Sequence, residues 1–270
     1  MTSWLTIDDR GPIRWLTLSN PGRKNAIPSD GWGELREVFV GFESSAQRVL
    51  VITGAGEDFC AGADLGGGRD GSGSAGFAPV DELGSVAARH RRMKQVGEAV
   101  LALHRLSKPT VAAVDGVAAG AGMNLAIGCD VVVATTRARF AEIFVRRGFT
   151  LDSGGSWLLP RLVGMQRAKE LALTGRMVSA EEAKEIGLVL EVVGPVELAA
   201  AVARLADSFL AGGPVAQMFA KQALDRSWDL TFEEALSWEG QSQAIALGTD
   251  DAAEGLAAFL AKRPPEWKGR

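Results

Sequence analysis

Only two cysteines and two histidines occur among the 270 residues, and each scarcity removes a class of chemistry. Cys60 and Cys129 sit in apolar or Gly/Ala-rich runs without metal-ligand spacing, which points to reduced core thiols rather than a disulfide framework or a zinc site. His90 and His104 alone cannot build an HExxH helix or a histidine-rich cluster, so no metal is expected. His104 lies in the apolar run Val100 to Leu106, where a packed or solvated imidazole is the simpler reading. A basic excess is missing too. Lys and Arg number 29 against 33 Asp and Glu, a net charge of −4. That balance leaves nothing to neutralise a phosphate backbone or to hold an anionic bilayer, so neither nucleic acid nor membrane is an expected partner. No stretch of about 18 apolar residues is present to span a bilayer. Met1 to Asp8 lack the basic start and apolar core of an export signal, and an unprocessed, soluble, cytoplasmic protein is expected.

Several chemical signatures are absent as well. None of Ser72, Ser74, Ser153 or Ser156 has glycine two residues away on both sides, which excludes a serine-hydrolase elbow. No G-x-x-x-x-G-K-[ST] loop exists for a nucleoside triphosphate. Gly54-Ala-Gly56 and Gly120-Ala-Gly122 begin like a dinucleotide fingerprint, but Phe59 and Leu125 stand where the third glycine belongs, so a nicotinamide cofactor is not supported.

What is present is a globular composition, 47% hydrophobic and 23% charged, with enough apolar material for a core. Glycine stands at 33 of 270 residues, above the usual ~7%, and clusters in particular loops. Short apolar runs end in Gly-rich turns and are followed by helical patterns, the signature of an α/β chain. The candidate strands are Ile13 to Leu18, Val49 to Thr53, Thr110 to Val114, Val131 to Ala134 and Leu188 to Val193. From Val196 onward the pattern is helical: Glu197 to Leu210, Val215 to Arg226, Phe232 to Leu247 and Asp250 to Ala261. Ser179 with Glu182, and Thr231 with Glu234, read as capping boxes. The stretch Gly66 to Ala78 has the composition of a loose surface loop.

Two strand-to-turn units share one design. Val49 to Thr53 runs into Gly54 to Leu65 (GAGEDFCAGADL), and Thr110 to Val114 runs into Asp115 to Leu125 (DGVAAGAGMNL). Small side chains in such turns let backbone N–H groups approach a ligand, and two that converge on one oxygen form an oxyanion hole. Tight strand–helix packing is the plainer use of such a turn, but it explains one unit better than two. A helix opening at about Ala121 is predicted.

Asp58-Phe-Cys-Ala-Gly-Ala-Asp-Leu65, Lys108-Pro-Thr-Val-Ala-Ala-Val-Asp-Gly116, Ala119-Gly-Ala-Gly-Met-Asn-Leu-Ala126 and Cys129-Asp130 resemble the crotonase (enoyl-CoA hydratase/isomerase) superfamily. Asn20 to Ala26, Leu173-Thr-Gly175, Ser179 to Leu188 and Phe259 to Pro264 resemble it too, so the likeness spans nearly the whole chain. The resemblance implies a crotonase (ClpP-like) spiral of ββα units over residues 1–195 and a C-terminal helical trimerisation region over 196–270. It implies an acyl-CoA substrate, no cofactor beyond that coenzyme A, and a homotrimer or a hexamer of paired trimers. The family's oxyanion donors fall on the backbone N–H groups of Ala63 and Ala121. Coenzyme A is expected against Ala61, Ala63, Asp64 and Leu65, with Arg23, Lys24 and, from a neighbouring subunit, Phe259 and Lys262 near its phosphates.

The sequence departs from the hydratases of the family at both of their glutamate positions, which hold Asn124 and Phe144. Glu142 lies two residues from the second, where a surface or supporting carboxylate is the simple reading. Asp152, in Leu151-Asp-Ser-Gly-Gly-Ser-Trp-Leu-Leu-Pro-Arg161, resembles the acid/base aspartate of the ring-1,2-epoxyphenylacetyl-CoA and Δ3,Δ2-enoyl-CoA isomerase branch. It could equally cap the helix through Trp157. Asn124, Phe144, Phe149, Trp157 and Phe77 are the candidate acyl-pocket lining, though an aromatic cluster is more often core. Isomerisation with Asp152 as acid/base ranks first, hydration second. An aspartate nucleophile as in the family's dehalogenases lacks its helix histidine, that position holding Gly97, and a catalytically weak CoA-binding or assembly protein is the alternative of another class.

Overall fold

The computed structural model describes residues 4–64 and 85–270; Leu65, Phe77 and the loop expected over Gly66 to Ala78 fall outside them. The chain divides into two compact units, Met1–Leu106 with Thr110–Val202, and Ser107–Pro109 with Ala203–Arg270.

The first unit is built on a sheet of strands β1 (Leu5–Arg10), β2 (Ile13–Leu18), β3 (Val49–Gly54), β4 (Thr110–Val114), β6 (Val131–Thr135) and β9 (Glu191–Val193), in that order across the sheet. β1 pairs antiparallel with β2, and every later neighbour is parallel. The central strands read as unbroken β-branched and alanine runs because both faces are covered: Thr110 to Val114 are all buried, as are Val49 to Ile52. On the edge strand β1 only Leu5 is buried, and charged residues blunt its free side, as with Asp8 accepting from Arg10 Nε at 2.7 Å. The crossover helices α1 (Gly31–Glu43) and α2 (Val86–His104) place Leu35, Phe39, Val96, Ala99 and Leu103 in the core. At roughly 1.5–3 kcal/mol for each large apolar side chain, burial of this kind is the main force holding the layers together.

A smaller sheet combines β5 (Val117–Ala119), β7 (Arg139–Ala141) and β8 (Val178–Ser179). Around it lie α3 (Ala121–Ile127), α4 (Gly155–Val163), α5 (Met165–Thr174) and α6 (Ala180–Glu185). Ser179 caps α6 by accepting from Glu182 N at 3.2 Å, but the expected box is incomplete. The Glu182 carboxylate instead accepts from Arg176 Nη1 at 2.9 Å, a charge-assisted bond that outcompetes a backbone N–H. The predicted strand Leu188 to Val193 keeps only its second half, because Leu188 N and Val189 N both donate to Ala183 O and close α6.

Helix α7 (Leu198–Leu210) is followed by α8 (Pro214–Arg226), α9 (Phe232–Leu247) and α10 (Asp250–Ala261). Both arms of the Thr231–Glu234 capping box form. In the second unit the buried Asp251 carboxylate accepts from Lys268 N at 2.6 Å and Gly269 N at 2.9 Å, tying the chain's end to α10. Leu224, Phe232, Ile245, Leu256 and Phe259 are exposed there. No single helix among the described residues is long and apolar enough to cross a membrane.

Candidate active site

Strands β3 and β4 are parallel neighbours, so both deliver their following turns at the same edge of the sheet, where α/β folds receive ligands. Asn25, in the left-handed region at φ +57°, holds the first turn by donating Nδ2 to Ala55 O at 2.8 Å and Asp58 O at 2.6 Å. Asp58 Oδ1 in turn accepts from Val117 N at 3.0 Å. Cys60 N donates to Val117 O at 2.9 Å and Ala119 N to Cys60 O at 3.0 Å, zipping the first turn onto the second. Glycine makes this approach possible: a Cβ on Gly122 would stand 2.1 Å from Cys60 O, and one on Gly62 would stand 2.9 Å from Ala119 O.

Pairing with Ile27 uses the N–H groups of Ile27, to Gly62 O, and Asp64, to Ile27 O, both at 2.8 Å. Ala63 lies between them with its own N–H turned away from that ladder. Helix α3 opens at Ala121 as predicted, with Gly120 as its N-cap. Its first N–H groups therefore have no acceptor within the helix.

The first turn also gathers most of the residues expected against coenzyme A. Ala61 N donates to Lys24 O at 3.0 Å. Arg23 pairs with Asp64 at 3.6 Å, and Lys24 with Asp58 at 3.4 Å. Phe259 and Lys262 belong to the second unit, where Phe259 is exposed and Lys262 ends α10 at φ +52°.

Asp152 sits on a reversal made by two successive left-handed residues, Ser153 at φ +50° and Gly154 at φ +85°. The N-cap of α4 is Gly154, with no side-chain bond, so the capping alternative for Asp152 is set aside. Its carboxylate accepts from Ser153 Oγ at 2.9 Å instead. Its carbonyl accepts from Gly155 N at 3.0 Å and from Asn124 Nδ2 at 2.9 Å. Burial raises the Asp152 carboxyl above its ordinary range, partly offset by the Ser153 hydroxyl. Gly155 is what admits Asn124: a Cβ there would stand 2.5 Å from Asn124 Nδ2.

Of the two readings open for Glu142, a surface or a supporting carboxylate, burial removes the first. The residue is 1% exposed, because Phe140 and Phe144 on either side of it are buried and carry this segment under the fold. Its Oε2 accepts from Asn124 Nδ2 at 3.5 Å. Burial pushes its carboxyl up to about 8, the Asn124 amide opposes this, and the charge of Asp152 adds to it. Glu142 Oε1 and Asn124 Oδ1 are buried without a hydrogen-bond partner among the described residues. Spacing carried no sign of this cluster. The available signal was a lone carboxylate inside the apolar run Phe140 to Phe144.

Of the candidate pocket aromatics, Phe144 is buried, with Cζ 3.6 Å from where a Gly120 Cβ would stand, and so flanks the start of α3. Phe149 is 40% exposed. The Trp157 ring is covered by the Arg161 guanidinium at 3.7 Å on one side and meets the edge of His104 at 5.2 Å; His104 is thus a packing residue.

Residues 9–270 match the family model described as enoyl-CoA hydratase/isomerase. The chain is 38% identical over 260 residues to a 1,2-epoxyphenylacetyl-CoA isomerase of Escherichia coli K12, covering 96% of this chain and 95% of that protein. It is 34% identical over 263 residues to a short-chain-enoyl-CoA hydratase of Clostridium acetobutylicum, at 96% and 95% coverage. The crystal structure of an enoyl-CoA hydratase from Bacillus anthracis superposes with a TM-score of 0.89 at 30% identity, over 99% of this chain and all of that one. With two backbone turns converging at one sheet edge and the carboxyls of Asp152 and the buried Glu142 joined through Asn124, the chain belongs to the enoyl-CoA hydratase/isomerase family, the crotonases, as an enzyme acting on CoA thioesters.

Proposed function

We propose that this enzyme is an enoyl-CoA isomerase that shifts a carbon–carbon double bond by a proton shuttle through Asp152. The observation that carries this reading is the state of Asp152: a half-buried carboxylate of raised basicity, pinned at its carbonyl by Asn124. Asn124 and Phe144 occupy the two places where the resembling hydratases carry glutamates, and Asn124 spends its amide on holding Asp152. Asp152 removes a proton from C2 of a 3-enoyl thioester, and the electron pair moves to the thioester oxygen to form a dienolate. The N–H groups of Ala63 and Ala121 donate to that oxygen, an arrangement worth about 10²–10³ in rate per donor. The same carboxylic acid returns the proton at C4, so no other reactant is consumed.

Coenzyme A rests on Ala61, Ala63 and Asp64, with Arg23 and Lys24 exchanging their aspartate partners for phosphate. Phe259 and Lys262 of a neighbouring subunit complete that contact in a homotrimer, alone or paired into a hexamer. The exposed apolar side chains of the second unit support such an assembly. Phe144, Phe149 and Trp157 border the acyl group. The 38% identity to an isomerase also supports the reading.

Hydration is the competing reading, and Glu142 favours it, since a second carboxyl, itself buried, offers a partner for the work of activating water and protonating carbon. Isomerisation of 3-hexenoyl-CoA and hydration of crotonyl-CoA, measured side by side at saturating substrate, separate the two. Isomerisation is expected to be faster and to fall about 10²-fold or more in Asp152→Asn. Faster hydration, or an Asp152→Asn variant with near-normal turnover, refutes the assignment.

A further inference from the structure

Glu142 and Asn124 make one buried cluster with the Asp152 carbonyl. It is short of donors: the Asn124 amide serves both Asp152 O at 2.9 Å and Glu142 Oε2 at 3.5 Å. Glu142 Oε1 and Asn124 Oδ1 have no hydrogen-bond partner among the described residues. Burying a charged carboxylate among unpartnered oxygens is far costlier than burying a neutral acid, whose O–H adds the missing donor.

We propose that Glu142 is a positioning residue that works as a neutral carboxylic acid, leaving the Asn124 amide to hold Asp152 in place as the base. The inference rests on the reading of Asp152 as that base. Once Glu142 loses its proton, its carboxylate draws on the second N–H of the same amide and pulls Nδ2 away from Asp152 O, since a charge-assisted bond is roughly twice as strong as a neutral one. The new negative charge also stands behind Asp152 and opposes the enolate that forms in front of it.

The charges on the surrounding elements agree with this. Asp152 is the charged group that acts on Glu142, and α3 carries none. On the other packed elements the cations turn elsewhere: Arg139 donates to Ala138 O at 2.7 Å and Arg146 to Thr174 O at 3.0 Å. Arg161 lies over Trp157, and Arg167 pairs with Glu170 at 3.7 Å. Arg147 and Lys169 are exposed. Glu142, with its carboxyl near 8, therefore stays protonated at neutral pH.

The test compares wild type, Glu142→Gln and Glu142→Ala across pH, using 3-hexenoyl-CoA isomerisation. Wild-type kcat is expected to fall on the alkaline side as Glu142 ionises. Glu142→Gln, neutral at every pH, loses only several-fold in kcat at pH 7 and loses that alkaline fall; Glu142→Ala loses 10-fold or more. An alkaline fall unchanged in Glu142→Gln, or a glutamine variant as poor as the alanine one, overturns the proposal. A second readout uses the enzyme without substrate: the side-chain carboxyl of ¹³C-labelled Glu142 is titrated by NMR in wild type and in Asp152→Asn. The midpoint should lie well above the ordinary glutamate range and move down when the Asp152 charge is removed. A midpoint in the ordinary range, or one indifferent to Asp152→Asn, overturns the proposal. Because this measurement needs no turnover, failure of Asp152 as the base and failure of Glu142 as its positioning group are told apart.

Discussion

Replacing Gly155 by alanine sets a gain in helix propensity against a steric loss, and the geometry decides between them. Gly155 opens α4 with φ outside the left-handed region, so its backbone accepts a side chain. Alanine in a helix is up to about 1 kcal/mol better than glycine. Against this, the new Cβ would stand 2.5 Å from Asn124 Nδ2, 2.8 Å from its Oδ1 and 2.9 Å from its Cγ. Asn124 is 1% exposed and cannot swing into solvent. Moving it breaks the 2.9 Å bond to Asp152 O and strands a buried amide, a loss of about 1–3 kcal/mol. The steric loss wins, for a net destabilisation of about 1–2 kcal/mol, or a few degrees in Tm for a chain of this size. Asp152 meanwhile loses the tie at its carbonyl, and a misplacement near 1 Å lowers kcat by up to about 10². The control is Gly33→Ala on α1, exposed and with nothing within 4 Å of the new Cβ. It should raise Tm slightly and leave kcat alone. Thermal unfolding and isomerisation kinetics on the two variants check both halves. A Gly155→Ala enzyme as stable and as active as wild type refutes the claim that Asn124 holds Asp152.

Ala121→Pro removes a proposed oxyanion donor at the first position of α3, where proline is tolerated because that N–H has no intrahelical acceptor. A variant shown to be folded by circular dichroism should lose about 10²–10³ in kcat with KM nearly intact, and normal turnover places the donor elsewhere. Glu142→Gln should change how stability depends on pH. The native state keeps the Glu142 proton up to about 8, while the unfolded chain releases it near 4.5; wild-type stability is therefore lost as pH rises between those values, by a few kcal/mol at most. The Tm of the glutamine variant relative to wild type should rise across that window, and a flat difference refutes burial of a protonated Glu142.

The helices and central strands were legible wherever one local rule governs a run of residues. Phe232–Leu247 and Asp250–Ala261 fall at their predicted bounds because a Thr cap and an apolar period mark each of them. β1 escaped notice because its residues after Leu5 are exposed and polar, and β5, β7 and β8 are too short to show a period. The turns that approach each other were legible for a related reason: a glycine such as Gly122, where a Cβ would stand 2.1 Å from Cys60 O, leaves its mark in composition. The carboxyl cluster obeys no such local rule. Asn124 lies on α3, Glu142 after β7 and Asp152 before α4, and each residue's own neighbours are compatible with a different role. A glutamate within an apolar segment reads as solvent-facing until the packing of Phe140 and Phe144 buries it. That burial is the main reason it holds a proton, opposed by the amide it shares and reinforced by the charge of Asp152, ten positions away in sequence. Protonation states are set by the sum of what three separate elements bring together, so the chemistry of this site becomes readable only once the backbone has placed all three.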